Sequence, residues 1–197
     1  WRPAWSPDGA WIAFSMAGSL WKIRPGADKA YQLTANPTYD SSPAWSPDGR
    51  WIAYTADDNY RRINLMLLSV ATGESTALTQ GDHLNLDPAW SPAGSKLLYV
   101  STAADGWYNV HAMPIDNGNP GTPIRLTEDN RYGNSRLYFG DNDLHIQPTI
   151  SPDGEEMILV SNRGIPLGSG AIWRAPIGPD AMSKAKRILR EETLYRT

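Results

Sequence analysis

Cysteine is absent from the 197 residues. Disulfides, zinc–thiolate centres and cysteine nucleophiles are therefore excluded, while the redox compartment stays open. Phenylalanine is scarce, with two residues against nine tryptophans and nine tyrosines, and the only histidines are His83, His111 and His145. No run of about 18 apolar residues occurs, so no membrane-spanning helix is expected. Neither sign of charge dominates: 18 Lys and Arg stand against 21 Asp and Glu, a formal net charge of −3. Without a basic patch, nucleic acid is not an expected partner. The chain also lacks a GxSxG elbow, an HExxH helix, a Walker loop and an HxH pair. Gly168-Ser169-Gly170 has no strand-to-helix context around it. Sustained helical periodicity is missing as well; only residues 180–186 could form one helical turn. No basic and apolar leader precedes Trp1, so the chain reads as a processed form or a piece of a longer protein.

What is present is a repeat. PAWSPDGAWIAFS at residues 3–15 returns as PAWSPDGRWIAYT at 43–55, as PAWSPAGSKLLYV at 88–100, and more loosely as PTISPDGEEMILVS at 148–161. A self-similar unit at a period of about 40 residues signals a repeat architecture. Within it, Ser6-Pro7-Asp8-Gly9 separates two extended runs. Proline presets φ, aspartate bonds nearby backbone and glycine accepts positive φ, which is the chemistry of a tight hairpin. The third copy replaces Asp with Ala93 but keeps Pro92 and Gly94. Trp5, Trp45 and Trp90 share one phase of the repeat, and Ile150 takes that place in the fourth copy. Since an aliphatic residue substitutes freely, a core position is favoured over an aromatic ligand platform.

Each unit contains four extended runs: 3–5, 11–15, 20–24 and 30–34; 43–45, 51–55, 63–70 and 75–79; 88–90, 96–101, 108–115 and 123–127; 148–150, 157–161, 171–176 and 186–190. Short runs rich in β-formers, separated by Gly, Pro, Asn and Asp, predict antiparallel sheets. Gln32-Leu33-Thr34, Ala77-Leu78-Thr79 and Arg125-Leu126-Thr127 close the fourth runs. The spacers that follow span residues 35–42, 80–87 and 128–147, so the third exceeds the others by twelve residues.

The SPDG hairpins, the closing Leu-Thr strands and the glycine-rich third turns resemble the TolB-type β-propeller repeat, a relative of the WD repeat. The resemblance covers nearly the whole chain. It implies an all-β propeller over residues 1–197, with four four-stranded antiparallel blades at about 1–42, 43–87, 88–147 and 148–197. It also implies a periplasmic or otherwise extracytoplasmic location. A shorter likeness, over residues 191–196, is to TolB-like propellers fused ahead of amidohydrolase domains. Blades bury their faces on neighbours, so terminal blades need caps or closure. Four blades could close alone, a longer protein could supply further blades, or two chains could join into an eight-bladed ring. The last is the favoured expectation, because TolB-like propellers usually carry six or more blades.

Propeller function usually sits on loops over the channel mouth. Asp40, Asn85 and His145 each lie three residues before an inner-run proline. They are channel-mouth ligand candidates, although such residues also pin local backbone. His83, with Asp82 and Asp87, forms a further candidate cluster. Asp141-Asn142-Asp143 has oxygen donors suited to Ca²⁺ but lacks the twelve-residue Ca²⁺ loop pattern, so no metal is expected. Arg131, Tyr132, Arg136, Tyr138 and Phe139 in the long spacer suit protein or carbohydrate contact, and packing over the channel mouth is the alternative. The resulting expectation is a non-enzymatic binding or scaffolding module, without cofactor, that presents loops to a protein or small ligand. The alternatives are the substrate-gating propeller of a larger hydrolase, of amidohydrolase or prolyl oligopeptidase type, and a lyase or glycan-processing propeller.

Overall fold

A computed structural model of the chain describes residues 2–59, 62–128, 144–163 and 170–190. Four antiparallel sheets follow one another along the chain, each a meander from an inner to an outer strand. The first contains β1 (Ala4–Trp5), β2 (Ile12–Met16), β3 (Ser19–Ile23) and β4 (Tyr31–Gln32), and the second β5 (Tyr39–Trp45), β6 (Trp51–Asp57), β7 (Ile63–Ser69) and β8 (Ser75–Ala77). The third contains β9 (Asn85–Trp90), β10 (Lys96–Ser101), β11 (Asn109–Asp116), β12 (Asn119–Pro120) and β13 (Ile124–Arg125). The fourth contains β14 (His145–Ile150), β15 (Glu156–Ser161), β16 (Ala171–Pro176) and β17 (Lys186–Arg190). β11 pairs with both β12 and β13, so the third sheet has one two-residue strand beyond the expected four. The helical turn expected within 180–186 is a single 3₁₀ turn at Ala181–Ser183. Among the described residues no helix is long and apolar enough to cross a membrane.

The SPDG segments fold back as their chemistry requires. In the second copy the Ser46 hydroxyl donates to Asp48 Oδ1 at 2.6 Å and accepts from Trp51 N at 3.0 Å. Asp48 Oδ1 also accepts from Arg50 N at 3.0 Å, and Gly49 turns with φ 71°. Burial pulls the Asp48 carboxyl upward, but the Ser46 hydroxyl and the Arg50 side chain and amide outweigh it and hold the pKa at about 2. Where Ala93 replaces the aspartate, Ser91 Oγ still accepts from Lys96 N at 3.0 Å. The serine therefore closes the turn in every copy, and the aspartate reinforces it. The Leu-Thr ends have a comparable role. Thr34, Thr79 and Thr127 each accept, through Oγ1, the amide of a third-strand residue: Leu20 at 2.9 Å, Leu65 at 2.8 Å and Val110 at 2.9 Å.

The sheets stack as blades. β5 lies on β2 and β3, β9 on β6 and β7, and β14 on β10 and β11. Successive side chains of a strand point to opposite faces, and the interior blades bury both. Ile52, Tyr54 and Leu68 meet Ala13 and Leu20 of the first blade, while Ala53, Leu65, Leu67 and Leu78 meet Leu97, Tyr99, Met113 and Ile115 of the third. Leu98, Val110, Ala112 and Leu126 then meet Met157, Leu159 and Ala175 of the fourth. Trp45 and Trp90, partly buried, pack against these clusters as the reading of their phase expects, whereas Trp5, read in the same way, is 59% exposed on the outer face of the first blade. Among the described residues, strands of the first and fourth blades do not touch, so four blades form an open arc.

The innermost strands differ from the runs expected at 43–45, 88–90 and 148–150. β5, β9 and β14 begin three or four residues earlier and reach across the bend before each proline. Ladder register shifts there in all three, between Ser41 and Ala44, at Leu98/Val100 on the strand facing β9, and between Ile146 and Thr149. Ser42 and Asp87 take φ 52° and Gln147 φ 53°. The extra residue of a β-bulge bends the strand without ending it. Residues expected to be loop therefore belong to the strands that line the channel.

Candidate functional site

The residues directly before the inner prolines converge on the axis. Arg2 Nη1 lies 2.6 Å from Asp87 Oδ1, and Gln147 N donates to Asp87 Oδ2 at 3.1 Å. Arg2, Asp87 and Gln147 belong to the first, third and fourth blades. Positions in blades that are not neighbours can meet only along the inner wall. Asp87 is thus a link between three blades. Asp82 is engaged elsewhere, 2.6 Å from Arg62 Nε.

Asp40, Asn85 and His145 occupy equivalent places near the starts of β5, β9 and β14, and all three are buried. Each is tied to the preceding blade. Asp40 N donates to Gly18 O at 3.0 Å, Asn85 Nδ2 to Ile63 O at 3.0 Å, and His145 N to Tyr108 O at 3.1 Å. The Asp40 carboxylate, 1% exposed, also accepts from Thr38 Oγ1 at 2.7 Å and Asn36 Nδ2 at 3.2 Å. The tie runs through the backbone amide at Asp40 and His145 and through the side chain at Asn85. Arg131, Tyr132, Arg136, Tyr138, Phe139 and the Asp141-Asn142-Asp143 segment lie outside the described residues.

Two cavities flank these ties. The larger, about 480 Å³, opens where the first three blades meet and is bordered by Ser15, Tyr39, Asp40, Ser41, Ser42, Thr55, Asp57, Asn59, Ile63 and Leu86. The ladder sets Tyr39 opposite Asp57 and Ser41 opposite Thr55, so the extended ends of β5 and β6 build its wall. Internal bonds fix that wall: Ser15 Oγ donates to Asp40 O at 2.6 Å, Thr55 Oγ1 donates to Ser41 O at 3.0 Å, and Asp57 Oδ1 accepts from Asn59 N at 2.8 Å. Among the described residues its lining holds two carboxylates and no basic side chain. The second cavity, about 270 Å³, lies between the second and third blades and is bordered by His83, Asn85, Tyr99, Ser101 and Met113 among others. Burial pushes the Tyr99 hydroxyl up to about 12. His111 packs on the Tyr99 ring with centroids 5.5 Å apart, which agrees with its reading as a structural residue.

Sequence reasoning missed Tyr39, Ser41, Thr55 and Asp57 as a group. The available signal was the alternating stretch on either side of the Ser42-Pro43 step, which looked like spacer because a proline normally interrupts a strand.

The family model described as the TolB beta propeller domain matches residues 1–122, well over half of the chain. The chain belongs to the TolB β-propeller family. This TolB-family chain is similar to a solved structure from Agrobacterium tumefaciens assigned as TolB, with TM-score 0.74 and 24% identity over 96% of this chain and 61% of that one. It is similar in fold to a puromycin-hydrolyzing peptidase of Mycobacterium tuberculosis, with TM-score 0.67 and 18% identity over 97% of this chain and 29% of that one. A curated relative, the uncharacterized peptidase YuxL of Bacillus subtilis (strain 168), is 28% identical over 101 residues, which is 51% of this chain and 13% of the relative. The chain therefore spans 61% or less of the length of each of these proteins.

Proposed function

We propose that this TolB-family propeller is a non-enzymatic binding module whose channel mouth receives a small ligand or a loop of a partner protein. The observation that supports this is the polar cavity of about 480 Å³ at the junction of three blades. Its wall is built from strand ends and held by its own hydrogen bonds, so it is preformed and a ligand need not order it. The carboxylates of Asp40 and Asp57, with hydroxyls beside them and no basic side chain among the described lining residues, favour a ligand carrying hydrogen-bond donors or positive charge. Asp40 is occupied by Thr38 and Asn36, which leaves Asp57 as the principal acceptor. Spermidine and a tri-lysine peptide serve as probes in a calorimetric titration. Binding by the native chain is expected to weaken roughly tenfold in Asp57→Asn, the loss of one charge-assisted hydrogen bond. Equal binding by both forms, or by neither, overturns the reading. We assign partner contact to the long spacer with Arg131, Tyr132, Arg136, Tyr138 and Phe139, whose side chains suit a protein surface. On the family likeness we also propose a periplasmic or otherwise extracytoplasmic location, which fractionation of the source cells tests.

A second reading has support of its own. YuxL and the puromycin-hydrolyzing peptidase are peptidases by their descriptions, and both are far longer than this chain. In that reading the propeller filters substrates for a hydrolase domain. It requires that the channel pass peptides and that catalysis reside on other residues. A GxSxG or HxH motif in a protein carrying this propeller would favour it over the binding module.

A further inference from the structure

The interface between the first and second blades and that between the second and third repeat one construction, and at one place they differ. The spacers 35–42 and 80–87 have the same length, so Asn36, Thr38 and Asp40 correspond to Gly81, His83 and Asn85. Counting onward from the inner prolines, Tyr54 corresponds to Tyr99; counting back from the closing Leu-Thr pairs, Ser75 corresponds to Pro123. In the first interface these residues form a bonded network. Asn36 Nδ2 donates to Asp40 Oδ2 at 3.2 Å and to the Tyr54 hydroxyl at 3.4 Å. Thr38 Oγ1 donates to Asp40 Oδ1 at 2.7 Å, and the Tyr54 hydroxyl donates to Ser75 Oγ at 3.0 Å.

The second interface has lost the partners and kept the residues they served. Gly81, at φ 103°, has no side chain, Pro123 has no hydroxyl, and the His83 ring makes no bond to Asn85. Asn85 and Tyr99 are nonetheless 2% and 3% exposed, as deeply set as Asp40 and Tyr54. Asn85 Nδ2 is held by Ile63 O at 3.0 Å, but among the described residues neither Asn85 Oδ1 nor the Tyr99 hydroxyl has a hydrogen-bond partner. Both residues border the cavity of about 270 Å³, together with His83, Leu78, Met113 and Pro123, and neither polar atom is sealed off from it. Polar atoms set so deep cost free energy until they are bonded.

We propose that this cavity binds a small uncharged carboxamide. The ligand does for Asn85 and Tyr99 what the Asn36 side chain does for Asp40 and Tyr54: its N–H groups donate to Asn85 Oδ1 and to the Tyr99 hydroxyl. Its carbon body lies against Leu78, Met113 and Pro123. The absence of charge follows from Asn85, a neutral residue where the first interface has a carboxylate. Among the described residues the cavity lining contains no Asp, Glu, Lys or Arg. A cation there would give up hydration without a counter-charge, and an anion would face the lone pairs of Asn85 Oδ1. An amide supplies the donor without either cost. The site shares no lining residue with the cavity at Asp40 and Asp57, so it stands independently of the function read from that cavity.

An NMR titration of the purified chain with benzamide tests this, with benzoate as a ligand of like shape that lacks an N–H donor. Benzamide is expected to shift the side-chain amide signals of Asn85 and the ring signals of His83, and to bind roughly tenfold or more tightly than benzoate. Tyr99→Phe should weaken benzamide roughly fivefold, the loss of one neutral hydrogen bond, while Tyr54→Phe leaves it unchanged. Thermal melts without ligand give a second readout. Tyr54→Phe should lower the melting temperature, because Asn36 and Ser75 lose a partner. Tyr99→Phe removes a hydroxyl that bonds nothing, so the melting temperature should stay the same or rise. Equal binding of benzamide and benzoate overturns the proposal, as does benzamide binding that Tyr99→Phe leaves intact. So do unmoved Asn85 signals up to the solubility limit of benzamide, and so does a Tyr99→Phe variant destabilised as much as Tyr54→Phe.

Discussion

His111 shows how far the surroundings of one residue can depart from its ordinary chemistry. Burial, with the Arg125 guanidinium beside it, lowers its pKa to about 4, and Asp105 opposes that only in part. Its Nε2 is buried without a hydrogen-bond partner. The unfolded chain takes up this proton as pH falls through about 6.5 and the folded chain only near 4, so stability attributable to His111 is present above 6.5 and lost between 6.5 and 4. His111→Phe keeps the ring against Tyr99 and removes the orphaned nitrogen. Thermal melts should show that variant roughly 1 kcal/mol more stable near pH 5 and with a flatter pH profile over that window. The sequence placed His111 inside a strand run and suggested a structural residue. It could not show that Tyr99, twelve positions earlier, would be the ring beneath it. Gly118 is a similar case. Its φ of 84° is legible from Asn117-Gly118 as a turn, but a Cβ there would lie 2.6 Å from the Trp51 ring of the neighbouring blade, and that restriction exists only after packing.

Strands and turns were the most legible level. Hairpins depend on four or five consecutive residues, so Ser46-Pro47-Asp48-Gly49 announces its own geometry. The closing Leu-Thr pairs were legible as a pattern, although the threonine's function was not. Thr127 is fully buried, accepts from Val110 N and donates to Asn109 Oδ1 at 2.9 Å. Thr127→Val preserves shape and removes both bonds. Denaturant unfolding should show a loss of about 1–3 kcal/mol, since the Val110 amide and the Asn109 oxygen are left unpaired. The inner strands were misjudged at one point only. A proline usually marks the limit of a strand, so residues 39–42, 85–87 and 145–147 read as loop. The bulges carry the ladder past that point, because register is decided by the partner strand and not by the residues themselves. That is why the cavity wall of Tyr39, Ser41, Thr55 and Asp57 escaped sequence reasoning, while Asp40, three residues before its proline, did not.

At the scale of the molecule, one motif position has different consequences in different blades. Leu126 is fully buried between the third and fourth blades, and Leu189 is exposed at the end of the arc. Leu126→Ala should cost about 2–5 kcal/mol, as expected for a large-to-small change in a packed core. Leu189→Ala should cost less than about 0.5 kcal/mol. Chemical denaturation of both variants measures the contrast. By itself the sequence determined that there are four sheets, that they are antiparallel meanders and that they repeat one unit, because those properties rest on turn chemistry and on alternation within a few residues. Only the tertiary structure decided which faces are covered, which inner residues meet at Asp87 and where a cavity opens. Those depend on the angle between successive blades and the register of their inner strands, and contacts across blades carry no local signature in the chain.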